Sequence, residues 1–150
     1  MFSRILMVCV GNICRSPMAA AALADRLGRR GVRAAVESAG ISALVGSPAD
    51  PVARALMSER GLDISGHRAR QLTPEIIRSF ELVLVMEAAQ QQAVEAILPS
   101  ARGRVHRIGR WGSFDVPDPY RQERVAFERA LALIDRGIGD LERAFWPERR

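Results

Sequence analysis

The chain has 150 residues, of which 48% are apolar, and this length and composition predict a single domain over residues 1–150. No apolar run has the length of a membrane span, and Arg15 breaks the apolar N-terminal region before it could serve as a signal peptide, so we expect a cytoplasmic protein. The net charge is +5, but the 22 basic residues, all arginine, form no dense run and are not interleaved with aromatic residues, so a nucleic-acid partner is not expected.

The first predicted elements are a strand and a helix joined by a short loop. Residues 5–8 form an apolar run typical of a buried strand, and residues 18–30 show helical spacing of apolar side chains up to Gly31. Ser16 is a favourable N-cap and Pro17 a favourable first helical residue. The loop therefore lies between the carboxyl end of a strand and the amino end of a helix, where free backbone N–H groups and the helix dipole favour an anion.

The loop reads CVGNICRS from Cys9 to Ser16, and it predicts a phosphate-binding site that carries its own nucleophile. Gly11 and Asn12 both tolerate left-handed backbone, which lets successive N–H groups point inward around an anion. A helix N-terminus stabilises the thiolate form of a cysteine such as Cys9. Arg15 offers a planar fork for two phosphoryl oxygens, and Ser16 can donate its hydroxyl to the sulfur. Without this spacing, a lone cysteine after a strand is usually a small core residue.

Further strands and helices alternate along the rest of the chain. The predicted strands cover residues 32–38, 82–86 and 104–108, and the predicted helices cover residues 51–60, a short segment from residue 73, residues 87–98 and residues 122–145. An interruption of the last helix near Gly137 and Gly139 stays open. This alternation predicts an α/β fold in one three-layer domain, with a four-stranded parallel sheet, helices on both faces and the phosphate-binding loop near the N-terminus.

Loops at the same edge of the predicted sheet supply more candidate residues. Ser38 ends the second strand at that edge, and residues 40–50 follow with the apolar residue Leu44. Leu44 can line a pocket or fold back onto the core, and both alternatives stay open. Tyr120, the sole tyrosine, is either a wall that stacks on an aromatic substrate or a half-buried anchor of its loop. His67, in an arginine-rich loop, is expected to be structural.

The long connection over residues 109–120 carries two candidate general acids. Asp118 precedes a proline, which favours extended backbone and keeps its carboxylate out of a helix. A loop that leaves the carboxyl end of a strand can reach over the phosphate site, where Asp118 could protonate a leaving phenolate and later activate water. Asp115 is the rival carboxylate, and the residues alone favour Asp118 without settling the choice.

Residues 9–17 resemble the signature loop of the low-molecular-weight protein tyrosine phosphatases. The similarity continues through ESAG from Glu37, HRARQ from His67 and PDPY from Pro117, so it extends over nearly the whole chain. The chain is most like the bacterial members that accompany capsule and exopolysaccharide synthesis. The resemblance implies hydrolysis of phosphotyrosine through a phosphocysteine intermediate, without a metal or another cofactor.

The resemblance implies Cys9 as nucleophile, Arg15 as phosphate ligand and Asp118 as general acid. Candidate substrate-binding residues are Val10, Gly11, Asn12, Ile13, Cys14 and Ser16 in the loop, together with Leu44 and Tyr120. A hydrogen-bond network that holds the loop is implied for Asn12, Ser16, Ser38 and His67. Cys14, otherwise a small core residue, is implied to pair reversibly with Cys9. Glu87 stands where many members have aspartate, and no role is assigned to it.

The expected partner is a phosphotyrosine protein, such as a bacterial tyrosine kinase with a tyrosine-rich tail, and no oligomeric state is predicted. Protein-arginine phosphatases of the same fold remain an alternative, although they carry threonine where this chain has Ile13. Arsenate reductases of the same fold need more cysteines than Cys9 and Cys14, which match no disulfide framework or zinc pattern. A non-catalytic phosphate-binding module would need neither Cys9 nor Asp118.

Overall fold

A computed structural model describes residues 2–148 of the chain. Within this range four parallel strands form one sheet in the order β2-β1-β3-β4, which confirms the predicted sheet. The strands are β1 (Arg4–Cys9), β2 (Ala35–Gly40), β3 (Leu82–Val85) and β4 (Val105–Arg107). The second strand starts three residues later than predicted, at Ala35 rather than at residue 32. The reason is that Val32 completes the preceding helix end: its amide donates to the Leu27 carbonyl, and Gly31 adopts a left-handed φ of 70°.

Five α-helices lie within residues 2–148, in the predicted order. They are α1 (Arg15–Arg29), α2 (Pro51–Glu59), α3 (Pro74–Arg78), α4 (Ala88–Ile97) and α5 (Arg124–Phe145), and two 3₁₀ turns cover Pro99–Ala101 and Arg110–Gly112. None of the helices in this range is long and apolar enough to cross a bilayer.

Strand β1 shows how the sheet divides the core into two layers. Ile5 and Met7 pack into one apolar cluster with side chains of α1, α2 and α5, whereas Leu6 and Val8 pack into another with Ile77 of α3 and side chains of α4. Successive side chains of a strand point to opposite faces, so a strand that is buried on both faces must be apolar throughout. Helices therefore cover both faces of the sheet, as the three-layer prediction requires.

The carboxyl end of β1 lies at the point where the strand order reverses. The chain leaves β1 toward β2 on one side, and β3 pairs with the other side of β1. In open α/β sheets the crevice at such a switch point is the usual site of ligand binding. Cys9 is the last residue of β1 and thus lies at the mouth of this crevice.

The last helix is continuous through Gly137 and Gly139, so the interruption that the sequence left open does not occur. A Cβ atom on Gly137 would lie 2.7 Å from the carbonyl oxygen of Ile108. Glycine at this position therefore lets α5 approach the end of β4 without a clash. Gly139 has more room, since the atoms nearest to an added Cβ are guanidinium nitrogens of Arg143 at 3.8 and 4.0 Å.

We expect Gly137→Ala to lower the free energy of unfolding by about 1–3 kcal/mol, because the methyl group must displace the Ile108 backbone. The matched control is Gly139→Ala, which should raise the free energy of unfolding by up to about 1 kcal/mol through better helix propensity. Equilibrium denaturation of both variants by urea measures the two effects. Equal effects of the two substitutions would contradict the close packing at Gly137.

Candidate active site

The loop after β1 and the start of α1 differ from the prediction in one respect. Helix α1 begins at Arg15 with Cys14 as its N-cap, so Ser16 is the second helical residue and the prediction of Ser16 as N-cap was wrong. The Ser16 hydroxyl is engaged elsewhere: its oxygen accepts a hydrogen bond from Nδ2 of Asn12 at 2.8 Å and lies 2.9 Å from Sγ of Cys9. Since Asn12 occupies a lone pair, the hydroxyl hydrogen is free to point at the sulfur.

The carbonyl oxygens of the loop are turned outward by hydrogen bonds to two other segments. Four of them accept backbone amides of residues 41–50 at 2.8–3.1 Å: the pairs are Cys9 with Ile41, Val10 with Ser42, Gly11 with Leu44, and Ile13 with Asp50. Nε2 of His67 lies 2.6 Å from the Asn12 carbonyl oxygen. The C=O and N–H groups of a trans peptide plane point in opposite directions, so these bonds turn the loop N–H groups toward the crevice. The result is an anion nest.

Asn12 is the residue that makes the sharp turn possible. It adopts a left-handed φ of 60°, whereas Gly11, which was expected to share this conformation, does not. Its buried side chain also donates to Oγ of Ser38 at 2.9 Å and accepts from the Arg70 amide at 2.9 Å. The structure thus brings together the four residues for which the family resemblance implied a network: Asn12, Ser16, Ser38 and His67.

Gly40 and His67 support the loop from behind. A Cβ atom on Gly40 would lie 2.5 Å from the Val10 carbonyl oxygen, so only glycine lets the loop pack against the end of β2. Burial lowers the pKa of His67, and the charges of Arg68 and Arg70 lower it further, although the hydrogen bond to the Asn12 carbonyl acts in the opposite direction. The neutral ring suits a donor at Nε2, because a carbonyl oxygen can only accept.

Arg15 is buried, and its guanidinium connects three segments of the chain. Nη1 donates to the carboxylate of Glu87 and to the carbonyl oxygen of Val116 at 2.8 Å, and Nη2 lies 3.7 Å from Oδ2 of Asp118. Sequence reasoning assigned no role to Glu87. It lies two residues after the end of β3, and its place at the carboxyl end of a predicted strand is the sequence signal that pointed toward the phosphate site.

The crevice is an open cleft with about 490 Å³ of empty volume. It is lined by Cys9, Val10, Gly11, Asn12, Ile13, Cys14, Arg15, Ser42, Leu44, Asp118 and Tyr120. Leu44 and Tyr120 both line the cleft, and they are 43% and 39% exposed, so Leu44 does not fold back onto the core. Ser42 was missed by the sequence analysis, although it lies two residues before Leu44 in the same loop.

The two candidate acids have different surroundings. Asp118 lines the cleft, and its Oδ1 accepts the amide of Tyr120 at 3.0 Å. Asp115 points elsewhere: its Oδ1 accepts from Nη1 of Arg107 at 2.9 Å and from the Ala88 amide at 3.1 Å. Asp115 therefore anchors the connection that carries Asp118, and the geometry favours Asp118 as the proton donor.

Cys14 differs sharply from Cys9 in its surroundings. Burial, followed by the nearby negative charge of Asp50, raises the pKa of the Cys14 thiol far above its ordinary range, so Cys14 stays protonated. Within residues 2–148 both cysteines are free thiols. The same part of the chain contains no group of three His, Cys, Asp or Glu side chains that could hold a metal ion.

An anion nest with a cysteine at its base and an arginine and a carboxylate above it is typical of cysteine-dependent phosphatases. A model of the low molecular weight phosphotyrosine protein phosphatase family matches residues 4–148. The chain belongs to this family.

Similar proteins agree with this membership. The chain is 51% identical over 138 residues to the probable low molecular weight protein-tyrosine-phosphatase EpsP of Ralstonia solanacearum, with 92% of each chain covered. Among solved structures, Vibrio vulnificus Wzb in complex with benzylphosphonate superposes with a TM-score of 0.90 at 39% identity, over 97% of this chain and all of the other. A mutant of the YwlE arginine phosphatase with a phosphorylated active-site serine superposes with a TM-score of 0.90 at 29% identity, over 98% of both chains.

Proposed function

We propose that this phosphatase hydrolyses phosphotyrosine in proteins through a phosphocysteine intermediate. In the first step Sγ of Cys9 attacks phosphorus, the bond from phosphorus to the tyrosine oxygen breaks, and Asp118 gives its proton to that oxygen. In the second step Asp118 takes a proton from water, the water oxygen attacks phosphorus, and the bond from sulfur to phosphorus breaks. The observation that carries the proposal is the convergence of Cys9, Arg15 and Asp118 on one cleft.

The loop and Arg15 would stabilise the charge that develops on the phosphoryl oxygens. The nest N–H groups are fixed by the outward hydrogen bonds of their carbonyls, so little reorganisation is needed during the reaction. Glu87 and the Val116 carbonyl hold Nη1 of Arg15. These bonds orient the planar guanidinium through Nη1, while Nη2 stays close to Asp118.

Ser16 would assist the second step. Its hydroxyl oxygen lies 2.9 Å from Sγ of Cys9, and by donating its hydrogen it would stabilise negative charge on the sulfur. This stabilisation matters most when the thiolate leaves phosphorus. The Asn12 side chain keeps the hydroxyl in this orientation by donating to its oxygen.

The cleft fits an aromatic ester. Leu44 and Tyr120 supply apolar surface above the nest, where a phenyl ring could pack while its phosphate reaches Cys9. The similar Wzb structure is a complex with benzylphosphonate, a compound that joins a phenyl ring to a phosphonate. This likeness supports a substrate of the same shape for the present cleft.

Hydrolysis of phosphoarginine is the second candidate function, because the fold also resembles that of the YwlE arginine phosphatase. The side chain of Ile13 argues against phosphoarginine as the substrate. Its branched apolar side chain lines the cleft and offers no hydrogen-bond group to the polar linkage between a guanidinium and phosphate.

We propose further that the natural substrate is a bacterial tyrosine kinase with a tyrosine-rich tail, in the cytoplasm, within exopolysaccharide or capsule production. The support is the likeness to bacterial phosphatases such as EpsP and Wzb. A flexible phosphorylated tail is strongly anionic, and a net charge of +5 would speed its encounter with the enzyme. High salt should weaken this effect.

The test compares matched peptides that carry phosphotyrosine, phosphoserine or phosphoarginine. We expect kcat/KM for phosphotyrosine to exceed that for phosphoserine by about 10- to 150-fold, the value of burying one aromatic ring. Ile13→Thr should shift selectivity toward phosphoarginine by roughly two- to tenfold, the value of one hydrogen bond, while Ile13→Val should not. Comparable rates on phosphoserine would refute the aromatic cleft, and a preference of the unaltered enzyme for phosphoarginine would refute the argument from Ile13.

A further inference from the structure

An exposed arginine stands beside the cleft and has no part in the chemistry described above. Arg121 follows Tyr120 directly, and its guanidinium carbon lies 5.2 Å from the centre of the Tyr120 ring. Among the described residues no carboxylate forms an ion pair with it. By contrast, the neighbouring exposed Arg124 is paired with Glu59. Arg121 thus offers a positive charge without an ion-pair partner next to Tyr120, which lines the cleft.

The backbone at Arg121 is held in a conformation that arginine does not favour. Its φ is 63°, in the left-handed region, which costs a residue with a Cβ atom about 1–2 kcal/mol. The turn is closed by the Gln122 amide, which donates to the Pro119 carbonyl at 2.9 Å, and by Nε2 of Gln122, which donates to the Asp118 carbonyl at 2.8 Å. Glycine or asparagine would fit this turn at lower cost, so the side chain at this position is a candidate for function.

Apart from Asp118 and Ser42, the cleft mouth beside Arg121 exposes apolar side chains. Leu44, Val45 and Val10 are exposed, Val45 by 70% of its surface, and Tyr120 forms the wall next to Arg121. Arg15 is buried in the phosphate site and engaged with Glu87. A peptide that inserts its phosphotyrosine must leave its neighbouring residues at this mouth. There Arg121 places its guanidinium over the ring of Tyr120.

We propose that Arg121 recognises an acidic residue within two positions of the phosphotyrosine, so that this phosphatase prefers acidic phosphotyrosine segments. This inference rests on the proposed function. The contact is an exposed ion pair between the guanidinium and a carboxylate of the substrate. Such pairs contribute little individually, and the expected selectivity is about two- to fivefold.

The test compares phosphotyrosine peptides that differ only in aspartate or asparagine at the positions flanking the phosphotyrosine. The aspartate peptides should show a kcat/KM about two- to fivefold higher, through a lower KM at an unchanged kcat. Arg121→Asn should bring the ratio of kcat/KM between the aspartate and asparagine peptides to about one. Asparagine suits the left-handed backbone, so the fold is retained. Raising the salt concentration should reduce the ratio for the unaltered enzyme.

The matched control is Arg102→Asn, which also removes one arginine charge. Arg102 precedes β4, so it lies at the amino ends of the strands, whereas the cleft lies at their carboxyl ends. It should keep the preference for aspartate peptides. Two results would overturn the role of Arg121. One is equal kcat/KM values of the unaltered enzyme for the aspartate and asparagine peptides, and the other is an equal loss of the aspartate preference in Arg121→Asn and Arg102→Asn. If no phosphotyrosine peptide is hydrolysed at all while a small aryl phosphate is, the proposed function fails. That outcome is distinct from the loss of the aspartate preference alone.

Discussion

Cys9→Ser should lower the turnover of phosphotyrosine peptides by roughly 10⁴- to 10⁶-fold, the usual effect of removing a nucleophile. A serine hydroxyl remains protonated at neutral pH and leaves phosphorus poorly, so both chemical steps suffer. Binding of a phosphotyrosine peptide should persist, because the nest and Arg15 remain in place. Steady-state kinetics measure the first effect and isothermal titration measures the second.

Cys14→Ser is the control for this prediction. Burial keeps the Cys14 thiol protonated, and a neutral thiol is a poor nucleophile, so this variant should retain turnover within about tenfold of the unaltered enzyme. An active Cys9→Ser protein would refute the phosphocysteine mechanism. A Cys14→Ser protein with the larger loss would show that the wrong cysteine was assigned.

The order of strands and helices could be predicted because each element has its own local pattern. Strand β3 is a run of four buried apolar residues, and α2 and α3 each begin with a capping side chain followed by proline. The ends of elements were less predictable where a tertiary contact decides them. Helix α5 runs through Gly137, whose missing Cβ lets the helix pack against the end of β4, a contact that no local pattern reveals.

The candidate site was partly predictable for a similar reason. Cys9, Arg15 and the loop between them are contiguous, so their chemistry could be inferred from one stretch of sequence. Only the N-cap role of Ser16 was misassigned: α1 already begins at Arg15, and the hydroxyl contacts Cys9, as the sequence analysis expected, together with Asn12. Glu87 became interpretable only once the strand order brought the end of β3 beside β1.

The support of the loop by residues 41–50 was not predictable from composition. That segment was expected to form a wall of the cleft, and Leu44 does so. Its amides also turn the loop carbonyls outward, and backbone hydrogen bonds of this kind leave no trace in side-chain type. Gly40 was the available signal, because a glycine between two supporting segments often marks close backbone approach.

Asp118→Asn should lower the rate on phenyl phosphate esters by about 10²- to 10⁴-fold, the usual contribution of general acid–base catalysis. Asparagine has a similar size and can still accept the Tyr120 amide, so the turn should be retained. The loss should shrink for esters whose leaving group needs no proton, such as nitrophenyl esters. Rates across a series of aryl phosphates with different leaving-group acidity measure this dependence.

The variant Asp115→Asn distinguishes the role of proton donor from the role of anchoring the connection that carries Asp118. This substitution removes the charge that pairs with Arg107 but keeps an oxygen that can accept the Ala88 amide. We expect a smaller loss that is the same for good and poor leaving groups, because a displaced loop affects every ester alike. A leaving-group dependence that appears in Asp115→Asn and not in Asp118→Asn would mean that Asp115 is the proton donor. The cleft geometry argues against that result, since Asp118 lines the cleft and its Oδ2 lies 3.7 Å from Nη2 of Arg15.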